Sequence, residues 1–236
     1  MVGLDGKVIM VTGASRGIGL AIARRLASEG ARLVMVARHQ PTRNRAKAQV
    51  VGEPLLVQAD VTRPREVARM FRRVGREFGR LDVLVKNAGG FTYKPFLRTT
   101  LADWRLNLET NLTSLFLVTR AALPWLAKSR AAHVVNILTV SSRLAFPNCS
   151  AYTASKFGAL GLTRVLVEEL RPRKIRVTAI LPGSTNTRLT DEFDFAVRRA
   201  ELIQPEVVAE AVLSALQQPP RTTVEEIWLS PSRGAL

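Results

Sequence analysis

Lys7 to Thr12 is a short apolar run with β-branched residues, and it stops at Gly13-Ala-Ser-Arg-Gly-Ile-Gly19. The chain then resumes as Leu20-Ala-Ile-Ala-Arg-Arg-Leu-Ala, whose apolar residues recur at helical spacing. Strand, glycine turn and helix in that order narrow the possible folds more than any other stretch. The glycines let the backbone turn sharply and approach a diphosphate, whose charge is met by amides at the helix N-terminus. A glycine cluster alone would say little; in this context it predicts nucleotide binding.

The same alternation continues down the chain. Ala31 to Ala37 is a second buried strand after the turn at Gly30, and Leu55 to Asp60 is a third. The basic segment between them, Thr42 to Val50, reads as a stunted helix. Arg65 to Phe78 carries Val67, Met70, Phe71 and Val74 at helical spacing. Leu81 to Val85 is strand four, closed by Asn87-Ala-Gly-Gly90, and one helix spans about Leu101 to Leu126. His133 to Thr139 is strand five, the helix containing Tyr152 runs to about Leu170, and Ile175 to Leu181 is strand six, turned by Pro182-Gly183. Glu206 to Leu216 is a late helix and Val224 to Leu229 a last strand. This predicts an α/β fold, a doubly wound parallel sheet of about seven strands with helices on both faces. Ligands in such sheets bind at the carboxyl ends of the strands, where each of these turns falls. With 236 residues and 47% hydrophobic content the chain can bury a full core, and with no linker in it residues 1–236 read as a single domain.

Composition removes several alternatives. No apolar run approaches the roughly 20 residues needed to span a bilayer, and the N-terminus lacks a signal-peptide layout, so the expectation is a cytoplasmic protein with no membrane partner. Cys149 is the only cysteine, which rules out an internal disulfide and argues against a cysteine-based metal site; no metal is expected. A net charge of +16 raises nucleic acid as a partner. The arginines are spread along predicted helices, from Arg24-Arg25 through Arg72-Arg73 to Arg198-Arg199, without a recognisable binding motif. Solvated charge is the plainer reading, and no nucleic-acid partner is expected.

Tyr152-Thr153-Ala154-Ser155-Lys156 places a phenol and an ammonium one helical turn apart. A nearby positive charge favours the phenolate, so Tyr152 can serve as an acid or base. By itself the pair is also what an exposed helix shows by chance. Arg38 ends the second strand where an Asp or Glu would bind the two adenosine-ribose hydroxyls, and an arginine there matches a 2′-phosphate. Arg16 and Arg43 would reinforce a preference for NADP(H) over NAD(H); the other reading of Arg38 is a surface arginine. Asn111 is a polar residue among Leu108, Leu112 and Leu115, either functional or the cap of a local kink.

Taken together, these residues resemble the classical short-chain dehydrogenase/reductase family over nearly the whole chain. The resemblance rests on Thr12-Gly13-Ala14-Ser15-Arg16-Gly17-Ile18-Gly19, the Asp60-Val61 pair, Asn87-Ala88-Gly89, Asn111, Tyr152 with Lys156, and Pro182-Gly183 followed by Thr187. It implies a Rossmann-type fold and hydride transfer between a nicotinamide and a carbonyl/alcohol pair. Tyr152 would be the general acid in reduction and the base in oxidation. Lys156 would lower its pKa and hold the nicotinamide ribose, and Asn111 would keep a water in the proton relay. Gly13, Ser15, Arg16, Gly17, Ile18 and Gly19 would form the cofactor turn, Asp60 beside Val61 the adenine contact, and Asn87, Ala88 and Gly89 the adenosine side. Pro182 and Gly183 lead to Thr187, which resembles the residue that holds the carboxamide. A homodimer or homotetramer through the Asn111 and Tyr152 helices is the family expectation.

Two positions depart from the family pattern. Thr139 stands thirteen residues before Tyr152, where a serine is usual, and Leu138 precedes it. Threonine keeps the hydroxyl that would bond a carbonyl oxygen, while its methyl stiffens χ1 and crowds the substrate. Ser141 and Ser142 offer hydroxyls in a less suitable register. Lys86 replaces the first asparagine of the usual Asn-Asn-Ala-Gly, altering strand-end packing or adding positive charge near the cofactor. Residues 188–204, with Phe193 and Phe195 among Asp191, Glu192 and Asp194, read as a substrate lid or as a surface loop. Phe91, Tyr93, Phe146 and Phe193 are candidates for an apolar pocket suited to a ketone, an aldehyde or a 3-oxoacyl group. The reading that follows is an NADP(H)-dependent carbonyl reductase. The departures at Lys86, Leu138 and Thr139 keep open an NADP(H)-binding regulator or scaffold with little catalysis, and the charge keeps open nucleic-acid binding.

Overall fold

A computed structural model describes residues 3–192 and 199–232; the side chains at 40–43, 191 and 192 lie outside the described ones. Seven parallel strands form one sheet: β1 (Val8–Thr12), β2 (Arg32–Ala37), β3 (Leu55–Gln58), β4 (Val83–Lys86), β5 (His133–Ile137), β6 (Arg176–Pro182) and β7 (Glu226–Leu229). The helices are α1 (Gly17–Ala27), α2 (Gln40–Lys47), α3 (Pro64–Phe78), α4 (Leu101–Leu108), α5 (Ser114–Leu126), α6 (Ser150–Leu170) and α7 (Pro205–Leu216). The strand order is β3-β2-β1-β4-β5-β6-β7. Chain crossovers therefore run outward in opposite directions from β1 and β4, which opens a crevice at their carboxyl ends.

Both faces of the sheet are covered, so its strands are apolar throughout, and side-chain alternation decides which cover each residue meets. Ile9, Val11, Leu33 and Met35 pack with Ile22 and Leu26 of α1 and with Val208 and Val212 of α7. Val8, Met10, Val34 and Val36 point the other way, onto Met70 and Phe71 of α3, Val118 and Leu126 of α5, and Val167 of α6. On α3 the buried stripe of Val67, Met70, Phe71 and Val74 is opposed by exposed Arg65, Arg69, Arg72, Arg73 and Arg76. The expected solvated arginine face is present here.

The single helix predicted over Leu101 to Leu126 is two helices joined without a break. α4 ends at Leu108, a π-helical turn spans Glu109–Thr113, and α5 follows. The extra residue in such a turn bulges the helix, a feature often found at functional sites, and Asn111 sits in it. The short basic helix begins two residues earlier than its sequence limits, with Pro41 in its first turn. Among the described residues no helix is long and apolar enough to cross a membrane.

Candidate active site

A cavity of about 910 Å³ lies at the carboxyl ends of the strands. Of the residues singled out in the sequence, Gly13, Ser15, Arg16, Gly17, Ile18, Arg38, Asp60, Val61, Asn87, Ala88, Gly89, Thr139, Tyr152, Lys156, Pro182, Gly183 and Thr187 line it. Gly19 and Asn111 do not, and both act beneath the wall. A Cβ on Gly19 would stand 2.3 Å from the Gly13 carbonyl oxygen and 2.4 Å from Asn87 Nδ2. Gly19 therefore lets α1 press against the turn and the end of β4. Gly13 is held at φ +66°, where a side chain would be strained.

The Asn87 side chain is likewise committed to structure. Its Nδ2 donates to the carbonyls of Thr12 and Gly13 at 3.2 Å each. Thr12 Oγ1 in turn accepts from the amides of Asn87 at 3.1 Å and Ala88 at 3.2 Å. The ends of β1 and β4 are thus stitched together at the crevice. Thr12 was not among the candidate site residues, and its type in the motif was the available signal. At the end of β3, burial pushes the Asp60 carboxyl up. Hydrogen bonds from Thr62 N at 2.9 Å and Thr62 Oγ1 at 2.7 Å, with the charges of Arg38 and Arg63, outweigh this and hold it below the usual range.

Tyr152 stands in the first turn of α6 with its ring edge-on to Phe91, centroids 4.7 Å apart. Lys156 Nζ lies 5.6 Å from the Tyr152 ring centre, so the helical spacing brings the two groups together as expected. The expected lowering of the phenol pKa does not follow in the protein by itself. Burial raises it above the ordinary tyrosine value, a hydrogen bond with Thr139 offsets part of this, and Cys149 adds a small upward push. Burial also lowers Lys156 to about 8. Thr139, not Ser141 or Ser142, is the hydroxyl that reaches Tyr152.

Asn111 belongs to a second layer. Its Oδ1 accepts from Gly90 N at 3.0 Å, and its Nδ2 donates to Gly90 O at 2.9 Å and Ser155 Oγ at 3.0 Å. Ser155 donates to the Tyr152 carbonyl at 2.6 Å, which ties the π-turn, the Gly89-Gly90 loop and the Tyr152 turn into one unit. With Lys156, Asn111 borders a separate buried cavity of about 10 Å³, about the volume of one water. Lys86 is buried on the α5 side, donating to the Leu115 carbonyl at 3.2 Å, and burial pushes its pKa far down. It bears on packing and brings no charge toward the large cavity.

Phe91, Tyr93 and Phe146 line the large cavity as expected, while Phe193 lies outside the described residues, as do Asp194, Phe195 and the rest of 193–198. Arg43 has no described side chain. Arg188, Leu189 and Arg199, within the 188–204 stretch read as a lid or surface loop but not named individually as site residues, also line the cavity. They come from the segment after β6, whose course no local pattern specifies.

The fold and this cleft define an α/β protein of the dinucleotide-binding type, with Tyr152 and Lys156 in the wall of the cleft. The family model for short chain dehydrogenases matches residues 7–196, and the chain belongs to that family. An uncharacterised oxidoreductase of Staphylococcus epidermidis is 32% identical over 225 residues, spanning 95% of this chain and 97% of the relative. A 3-oxoacyl-(acyl-carrier-protein) reductase of Synechocystis sp. is 34% identical over 218 residues, spanning 89% and 88%. A solved metagenomic short-chain oxidoreductase in complex with NADP superposes with a TM-score of 0.86 at 32% identity, covering 98% of this chain and 99% of that one. The chain is an oxidoreductase of CH–OH and C=O groups that depends on a nicotinamide cofactor.

Proposed function

We propose that the chain is an NADP(H)-dependent carbonyl reductase with Tyr152 as its acid. The observation that carries this reading is the buried Tyr152 phenol beside Lys156, in the same cavity that Thr139, Arg16 and Arg38 line. The residues around that cavity fit a phosphorylated dinucleotide. α1 begins at Gly17 with no side-chain cap and no acid in its first turn, which leaves its first amides for a diphosphate. Arg38 and Arg16 are exposed in the wall and match a 2′-phosphate. The complex of the metagenomic relative with NADP favours the same choice.

Bound NADPH would supply the hydride to the carbonyl carbon. Thr139 and Tyr152 would donate hydrogen bonds to the carbonyl oxygen, and Tyr152 would give its proton as negative charge develops there. One C–H and one O–H bond form, and the C=O becomes an alcohol. The Lys156 ammonium would stabilise the phenolate left behind and hold the nicotinamide ribose. Asn111, through Gly90 and Ser155, would fix the geometry of the pair and border a water-sized space behind Lys156. Asp60 and Val61 would meet the adenine, Ala88 and Gly89 the adenosine side, and Thr187 the carboxamide.

Phe91, Tyr93 and Phe146 favour an apolar ketone, an aldehyde or a 3-oxoacyl group, and the reductase from Synechocystis favours the last. In this reading residues 1–236 are one catalytic domain with a lid about 188–204. It assembles as a homodimer or homotetramer through α4, α5 and α6, where Phe116, Phe157 and Val165 are exposed. The reading is tested by fluorescence titration with NADPH and NADH, followed by a panel of aldehydes, ketones and 3-oxoacyl thioesters. Tighter NADPH binding with turnover supports it, and binding without turnover favours a cofactor-binding regulator.

A further inference from the structure

Lys86 ends β4, in register with Thr12 of β1 and Asn136 of β5, and is only 6% exposed. Its amine donates to the Leu115 carbonyl at 3.2 Å and to Thr119 Oγ1. Thr119 places its own proton on the Leu115 carbonyl at 2.6 Å, so toward Lys86 its oxygen can only accept. Among the described residues no counter-charge meets Lys86, and burial pushes its pKa far down, toward the uncharged amine. An uncharged amine has two protons and one lone pair. The two acceptors take the protons, and the lone pair is left for the remaining side.

Lys86 also lines the cavity of about 10 Å³, together with Lys156, Asn111, Thr12 and Ser114. The space suits one water, with polar groups enough to hold it. Lys156 borders this cavity and the large one alike. Lys156 lies over the Tyr152 ring of its own helix and shares the wall of the small cavity with Lys86. Gly89, Asn111 and Leu138 bring no ionisable group, and burial alone moves the Lys156 pKa.

We propose that Lys86 is a positioning residue: through one water in the small cavity its lone pair accepts a hydrogen bond from Lys156 and holds the Lys156 ammonium in its charged form. This rests on the reading of Lys156 as the partner of Tyr152. A carboxylate there would hold the ammonium more strongly but would cancel the positive charge that the phenolate needs. An uncharged acceptor keeps that charge.

The test follows the titration of Lys156 through the carbon-13 shift of its ε-carbon in lysine-labelled protein, assigned with Lys156→Met. Lys86→Met removes the acceptor while Thr119 and Leu115 keep their own bond. The Lys156 midpoint then falls from about 8 by about one pH unit, the size of one hydrogen bond to a charged group. Lys86→Gln keeps an acceptor oxygen and restores most of the shift. Val118→Ile fills the small cavity with Lys86 intact and lowers the midpoint in the same way, which decides the matter if Lys86→Met does not fold. An unchanged or raised midpoint in the folded variants overturns the proposal. Turnover separates it from the reductase reading: a shifted midpoint in a protein with no carbonyl turnover sinks that reading alone, and turnover with an unshifted midpoint sinks the role of Lys86 alone.

Discussion

Thr139 brings a hydroxyl to the cavity that Tyr152 lines, and its extra methyl restricts the rotamers of that hydroxyl. Thr139→Ser should keep turnover within several-fold and admit bulkier ketones, whereas Thr139→Ala should lower kcat by about 10²–10³, the typical cost of one oxyanion donor. Steady-state kinetics on two ketones of different size checks both. Arg38→Asp should reverse the cofactor preference, raising the Kd for NADPH at least about tenfold and lowering that for NADH, as read by fluorescence titration. Residues such as Tyr152, Lys156 and Arg38 are legible in the sequence because their chemistry depends on spacing along one helix or on the end of one strand. Thr12, Ser155 and the true partners of Asn111 are not. Their bonds join positions 75, 44 and 21 residues apart, and only the fold brings them together.

The elements themselves follow from periodicity, which survives in every strand and in the long helices. The π-turn at Glu109–Thr113 escapes it because the surrounding leucines keep helical spacing, while within the turn Asn111 bonds Gly90 across the fold. The contact of α1 with the crevice is the most exacting. Gly19→Ala should push α1 off the turn, weaken NADPH binding by more than about tenfold and lower the unfolding midpoint, as titration and urea denaturation would show. At the start of β5, His133 is fully buried, bonds Thr178 Oγ1 at 2.8 Å, and is lowered by burial to about 3. The unfolded chain takes up this proton near the ordinary value of about 6.5 and the folded one does not. Stability from this group is therefore present above pH ~6.5 and lost progressively as pH falls toward ~3. Urea midpoints at pH 7 and pH 4.5 should differ more in the native protein than in His133→Asn.

At the scale of the molecule, the number and direction of the strands are legible from alternation, but their order is not, since each pairing is made across a crossover. The order matters because it puts the crevice between β1 and β4, where the cofactor turn, Asn87 and the Tyr152 helix converge. The +16 charge lies partly on the solvent face of α3, and the claim about function does not depend on it. That claim is that Tyr152 passes a proton to a carbonyl oxygen in a site that binds the cofactor independently of this group. Its most direct test is NADPH binding and carbonyl-dependent NADPH oxidation by the native protein and by Tyr152→Phe. In Tyr152→Phe, NADPH affinity should stay within about twofold of native while turnover falls at least about 100-fold, the lower bound for a general acid. Turnover that survives in Tyr152→Phe would contradict it.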